Sequence, residues 1–169
     1  VQTNGPAQVY FEYKEKDSQA KPFRTERYTT TSANVYTAHL VATSVQPGKT
    51  YEYTLFINGK AVERPYPTTF KTPPLWQFRT DPPTMRVALG SCTFINDETY
   101  DRPGKGYGGG YQIFESIRQQ SPDLMLWLGD NIYLREADVD SKTGILHRYT
   151  HTRKTPEMQA LLASTSNYA

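Results

Sequence analysis

Three residues of types that do chemistry stand at telling places: a lone thiol, Cys92, a carboxylate, Asp130, and a phenol, Tyr133. Cys92 follows the stretch Met85 to Ser91, and Asp130 follows the apolar run Leu124 to Leu128 and Gly129. A run that short, bounded by Pro122 and Gly129, predicts a strand buried on both faces of a parallel sheet. Between the two strands, Ile113, Phe114 and Ile117 fall on one face of a helix expected over Gly110 to Ser121. Strand, helix, strand predicts a right-handed unit whose parallel strands end on the same edge. Cys92 and Asp130 are then neighbours where α/β sheets build their ligand crevices, and Tyr133 is close enough to reach them. A thiolate, a carboxylate and a phenolate gathered there suit a trivalent or borderline metal ion. Each residue alone also has a plainer reading. Cys92 serves as a small packing residue, Gly129-Asp130-Asn131 as a turn, and Tyr133 as a rim aromatic.

The elements that position these residues follow a different stretch of chain. From Val1 to about Thr72 the pattern is all-β, with alternation in Val9 to Tyr13 and Val35 to Ala42 and turn residues at short intervals. Pro47-Gly48 leading into Thr50-Tyr51-Glu52-Tyr53 resembles the tyrosine corner of fibronectin type III and immunoglobulin-like sandwiches, with Tyr51 bonding back to the backbone upstream. Asn58-Gly59 predicts a two-residue hairpin turn, since both residues tolerate the positive φ a type I′ turn requires. Thr68 to Thr72 would be the last strand. Residues 73–84, with Pro73, Pro74, Pro82 and Pro83, read as a stiff linker. The expected fold class is therefore α+β in two domains. A fibronectin III-like or immunoglobulin-like β-sandwich (1–72) precedes the linker, and an α/β domain starts at 85 and runs to 169.

Beyond Tyr133 the chain turns polar, and helices are expected near Thr143 and after Pro156, where Pro156 suits a first turn with Thr155 as its cap. His147 and His151 have the four-residue spacing of a helical zinc pair, but Arg148 stands where a zinc protease has Glu, so a solvated face is the expectation. Arg148 and Arg153 are candidates to meet a phosphate, and a solvent-facing helix explains them equally. Gly104-Lys105-Gly106 lacks the Ser or Thr of a phosphate-binding loop, and the glycines of 94–109 read as a flexible rim to the crevice.

Composition narrows the partners. The formal net charge is +2 with both signs interspersed, which argues for neither nucleic acid nor an anionic membrane surface. No apolar run approaches the length of a membrane span. One cysteine rules out an internal disulfide and leaves Cys92 as a hydrophobe, a free thiol or a ligand. Oligomeric state is not encoded in any pattern here.

Gly90-Ser91-Cys92 after the first strand, then Pro-Asp-Leu-Met-Leu-Trp-Leu-Gly-Asp-Asn-Ile-Tyr over 122–133, resembles the alkaline phosphatase D (PhoD-like) metallophosphoesterases. Residues 143–169, with Arg148-Tyr149, Arg153 and Leu161-Leu162-Ala163, are similar to that family's next segment. The resemblance implies a phosphoric ester hydrolase, secreted to the periplasm or beyond, in which a hydroxide shared by two metals attacks phosphorus. It implies Fe3+ and Ca2+, with other divalent ions open. Asp130 would bridge the metals as the catalytic residue, and Cys92 and Tyr133 would complete one side of the Fe3+ site. It also implies that the chain holds only the first part of the catalytic domain, ahead of a histidine-bearing motif. The 169 residues are then expected to be inactive while the longer parent hydrolyses phosphate esters. The rival expectation is a non-catalytic sandwich module that binds carbohydrate or protein, with the α/β part as scaffold.

Overall fold

The computed structural model describes residues 1–104, 106 and 109–169. They form two compact units, Val1–Pro83 and Thr84–Ala169.

The first unit is an antiparallel sheet built on two long strands, β1 (Gln8–Glu15) and β4 (Thr50–Ile57). They pair from Val9↔Ile57 to Glu15↔Tyr51. β2 (Phe23–Arg24) and β3 (Tyr28–Thr29) flank β1, and β5 (Lys60–Val62) and β6 (Thr69–Lys71) flank β4. Alternation explains the central pair. Val9 and Tyr13 on β1, with Tyr51 and Leu55 on β4, share one buried face. The hairpin from β4 to β5 turns on Asn58 (φ 49°) and Gly59 (φ 77°), the two positive φ angles of the expected type I′ turn.

Tyr51 is the corner residue. Its hydroxyl accepts the backbone N–H of Gln46 at 2.8 Å, and its ring stacks on Phe70 at 5.1 Å. Tyr13 does the same one strand away, accepting from Ser44 N–H at 3.0 Å. Replacing Tyr51 with Phe keeps the stack and orphans one backbone donor, so a loss of about 1 kcal/mol is expected. The urea midpoint of the first unit measures it, and an unchanged midpoint would remove Tyr51 from the account of this corner.

The expected strand over Val35 to Ala42 does not form. A 3-10 turn (Ser32–Asn34) is followed by Val35 and Tyr36 at φ 55°, which breaks extended geometry before the alternating residues begin. What remains is a single bridge, Gln2↔Thr37, with Ala38 N–H bonded to Val1 O. Ala38 is nevertheless buried against Ala7, Val9 and Leu55, with Leu40 packed alongside. The alternation marked a packing face, not a ladder. Among the described residues the unit is therefore one six-stranded antiparallel sheet with an irregular cover.

The second unit is a parallel sheet in the order β7 (Val87–Gly90), β8 (Leu124–Trp127), β9 (Ser166–Tyr168). β7 and β8 run parallel from Val87↔Leu124 to Gly90↔Trp127, joined by α1 (Gln112–Gln119) as expected. After β8 come α2 (Glu136–Val139), α3 (Lys142–Lys154) and α4 (Pro156–Ser164), the last starting on Pro156. α1 and α4 cover one sheet face, where Phe114, Met158 and Leu161 form a core with Ile95 and Trp127 packs against it. Ile113 lies outside that core and is exposed, because the buried stripe of α1 runs through Phe114 and Ile117. The expectation of a sheet buried on both faces also needs correction. Among the described residues the face bearing Val87, Leu89 and Tyr168 is open, with Leu89 63% exposed.

Candidate functional site

β7 and β8 end on one edge, and their extensions are tied together. Leu128 N–H bonds Gly90 O at 2.7 Å, Cys92 N–H bonds Gly129 O at 3.2 Å, and Thr93 N–H bonds Asp130 O at 2.8 Å. These ties hold three consecutive site positions at positive φ: Cys92 at 58°, Gly129 at 108° and Asp130 at 49°. Gly129 accepts this freely, whereas a residue with a Cβ gives up roughly 1–2 kcal/mol. Strain of that kind persists where the surrounding structure over-determines it. Here it turns two side chains toward one point.

At that point Cys92 Sγ donates to Asp130 Oδ2 at 3.7 Å and the Tyr133 hydroxyl donates to the same oxygen at 3.1 Å. The three residues named from the sequence thus converge on one carboxylate oxygen, open to solvent. The bond with Cys92, then burial, then the bond to and charge of Asp130 push the Tyr133 phenol above its ordinary value. At neutral pH the phenol is therefore a proton donor. Two protons, on sulfur and on the phenol oxygen, sit against one carboxylate, which is where a cation would replace them. The donor set fits a metal ion of the borderline or trivalent type. It is a partial set. Among the described residues no group of three or more His, Cys, Asp or Glu could hold a metal, and the third donor here is a tyrosine.

Beside Tyr133 opens a cleft of about 310 Å³ lined by Phe94, Asn96, Asp101, Arg102, Tyr133 and Arg135. The expected rim over 94–109 supplies four of these residues, while Lys105 lies outside the described residues. The Phe94 and Tyr133 rings meet edge to face at 6.1 Å.

Arg148 is not available to a phosphate. It is 1% exposed, its two terminal nitrogens bond Asp101 at 2.7 and 3.0 Å, and its Nε bonds Asp138 at 2.8 Å. The guanidinium joins α3 to α2 and to the loop after β7. Arg153 sits near the end of α3 with Nη1 3.8 Å from Met158 Sδ and is not among the cleft residues. His147 and His151 do not form a free solvated face either. His147 Nε2 lies 2.8 Å from Asp97 Oδ2, and His151 Nε2 lies 2.9 Å from Asn96 O. Sequence reading missed the acidic partners Asp97, Asp101 and Asp138. Their sole signal was acidic residues spaced through polar loops, opposite a helix rich in His and Arg.

Burial alone would raise the Asp97 and Asp101 carboxyls. Bonds from His147 and the Thr99 N–H outweigh it at Asp97, and bonds from Arg148 and the Asp97 N–H outweigh it at Asp101, so both lie below the usual carboxylate range. A depressed folded value means that the unfolded chain binds protons first. The stabilisation is complete above the ordinary carboxylate value of about 4 and is lost as pH falls through the folded values. Denaturant midpoints of the second unit are expected to be flat from neutral pH to about pH 5 and to fall below about pH 4. A midpoint that holds at pH 3 would contradict this.

A βαβ unit with a thiol and a carboxylate at adjacent parallel strand ends defines an α/β fold with its crevice on one sheet edge. A solved structure described as "Structure of PhoD" shares this fold, with a TM-score of 0.71 and 20% identity over 98% of the present chain. The match takes in 32% of that chain, so the present chain spans about a third of the length of the structure it resembles. The likeness agrees with the family resemblance of the sequence. No protein-family model and no curated protein matches the chain.

Proposed function

We propose that this chain carries one side of the metal site of a phosphoric ester hydrolase of the alkaline phosphatase D type. The observation that carries the reading is the convergence of Cys92, Asp130 and Tyr133 at the carboxyl edge of two parallel strands. Asp130 is the anionic anchor, with one oxygen turned to the thiol and the phenol and its other oxygen available to a second ion. Cys92 and Tyr133 would release their protons to water on loading, becoming ligands that match Fe3+ better than they match Ca2+. Bound there, Fe3+ with a neighbouring Ca2+ or other divalent ion would supply charge against the phosphoryl oxygens and the acidity to activate a water. The backbone ties from Cys92 and Thr93 hold the donors in place before any ion arrives.

Three donors make half a site, and the second ion has only Asp130 among them. The 169-residue chain is proposed to be silent, with activity belonging to a longer protein acting outside the cytoplasm. Within it the first unit would serve as a fibronectin III-like module, a reading supported by the Tyr51 corner. No helix among the described residues is long and apolar enough to cross a membrane.

The test is an Fe3+ titration of the chain followed in the visible. A phenolate-to-iron absorption is expected to grow in and to be absent from Tyr133→Phe, whose fold is unchanged. No absorption in the unaltered chain, or an equal one in Tyr133→Phe, would sink the assignment of Tyr133.

A further inference from the structure

The cleft beside Tyr133 has a composition that the metal donors do not explain. Two arginines, Arg102 and Arg135, stand on its lining with one carboxylate, Asp101, and that carboxylate is already neutralised by both terminal nitrogens of Arg148. Arg135 is the looser of the charged groups. Its Nε is 3.7 Å from Asp101 Oδ1, beyond hydrogen-bond distance, and its side chain is 56% exposed. Its guanidinium lies 6.0 Å from the centre of the Phe94 ring. The walls are mainly carbon, from Phe94 and Tyr133, and a volume near 310 Å³ matches a single ring-sized group.

These walls are preformed. Asn96 donates its backbone N–H to the Tyr111 hydroxyl at 2.8 Å and its side-chain nitrogen to Arg102 O at 3.1 Å, while its carbonyl meets His151 Nε2. Asp101 also takes the Asp97 N–H at 2.8 Å. An occupant would therefore meet a rigid apolar slot with surplus positive charge, and Tyr133 would be common to the slot and the metal donors.

We infer that this cleft is a subsite for the organic group of the phosphate ester, and that Arg135 selects groups carrying a second negative charge, a carboxylate or a further phosphate. The inference rests on the proposed phosphoesterase reading. With the phosphoryl group beside Asp130 and Tyr133, the ester's organic part extends along Phe94, and an anion at its far end reaches the Arg135 fork. Arginine suits this task because its planar donors pair two at a time with carboxylate or phosphate while its face rests on an aromatic ring.

Two non-hydrolysable probes of nearly equal shape test it: 4-carboxybenzylphosphonate and 4-methylbenzylphosphonate, titrated into the 169-residue chain by NMR. The carboxylate probe is expected to bind about fivefold tighter, a modest factor because Arg135 is half exposed. Arg135→Gln should erase that difference, and Arg135→Lys should restore part of it. Asp101 keeps its bonds to Arg148 in either variant, so the fold should hold, and circular dichroism checks this. Equal affinity of the two probes, or an equal loss of both in Arg135→Gln, overturns the selectivity. A third probe, 4-methylbenzoate, separates this inference from the function beneath it. Shifts at Phe94, Tyr133 and Arg135 support the subsite, whereas phosphonates that bind no tighter than this benzoate count against the phosphoryl reading alone.

Discussion

Arg148→Met should destabilise the second unit by about 3–5 kcal/mol, the usual penalty for breaking a buried ion pair by removing one partner. The Arg148, Asp101 and Asp138 side chains are 1%, 3% and 3% exposed, so water cannot replace the lost bonds. Methionine fills the volume of the stem, which isolates the electrostatic loss from a cavity. Two carboxylates would be left in an apolar setting, and Asp138 would keep only the Arg135 backbone N–H at 2.8 Å. The loop after β7, α2 and α3 are joined through this one guanidinium, so all three should loosen together. Against the roughly 5–15 kcal/mol that holds a typical domain, such a loss leaves little. Trp127 packs in the core of the second unit, and its fluorescence in a Trp76→Phe background reports that unit's transition in urea. A midpoint within error of the unaltered chain would show that the network is incidental. Adding Asp101→Asn and Asp138→Asn to Arg148→Met should recover part of the loss, because the stranded charges are gone.

This network is also where sequence reading ran out. The βαβ unit was legible because short apolar runs and a helical stripe are local patterns, and because the chirality of the crossover leaves one arrangement. Tyr51 and Asn58-Gly59 were legible for the same reason: a turn is specified by the residues in it. The roles of Arg148 and Val35–Ala42 were not local. An arginine on a polar helix has the same appearance whether it meets a phosphate or a buried aspartate 47 residues away. Val35 to Ala42 alternates as a strand does, but two positive φ angles ahead of it and the lack of a neighbouring ladder left it as coil. The open face of β7 and β8 was equally invisible, since an apolar run reports what a segment can bury and not what covers it. For the site itself, residue types at strand ends were enough to bring Cys92, Asp130 and Tyr133 together. The positive φ angles that aim Cys92 and Asp130 had no sequence signature apart from Gly129.

Asp130→Asn is expected to weaken Fe3+ binding to the chain by at least about a hundredfold, more than the 10–100-fold that follows loss of an outer-shell partner. The carboxamide has the same shape and still accepts the Tyr133 hydroxyl, so the folded geometry should survive. What is lost is charge. With the phenol held protonated, the Asp130 carboxylate supplies the negative charge that makes loss of the neighbouring protons worthwhile to an arriving cation. A neutral oxygen offers no such attraction, and a single oxygen of an amide cannot bridge two ions as a carboxylate does. Fe3+ titrations of both chains, read by the visible absorption and by competition with a chelator, give the comparison. In the longer protein the same substitution should abolish hydrolysis of an aryl phosphodiester, while Arg153→Gln should leave it within about twofold, because Arg153 is not among the cleft residues. Retained metal affinity in Asp130→Asn would place the ion elsewhere. Retained affinity alongside lost hydrolysis would assign Asp130 to the reaction and remove it from the ligands.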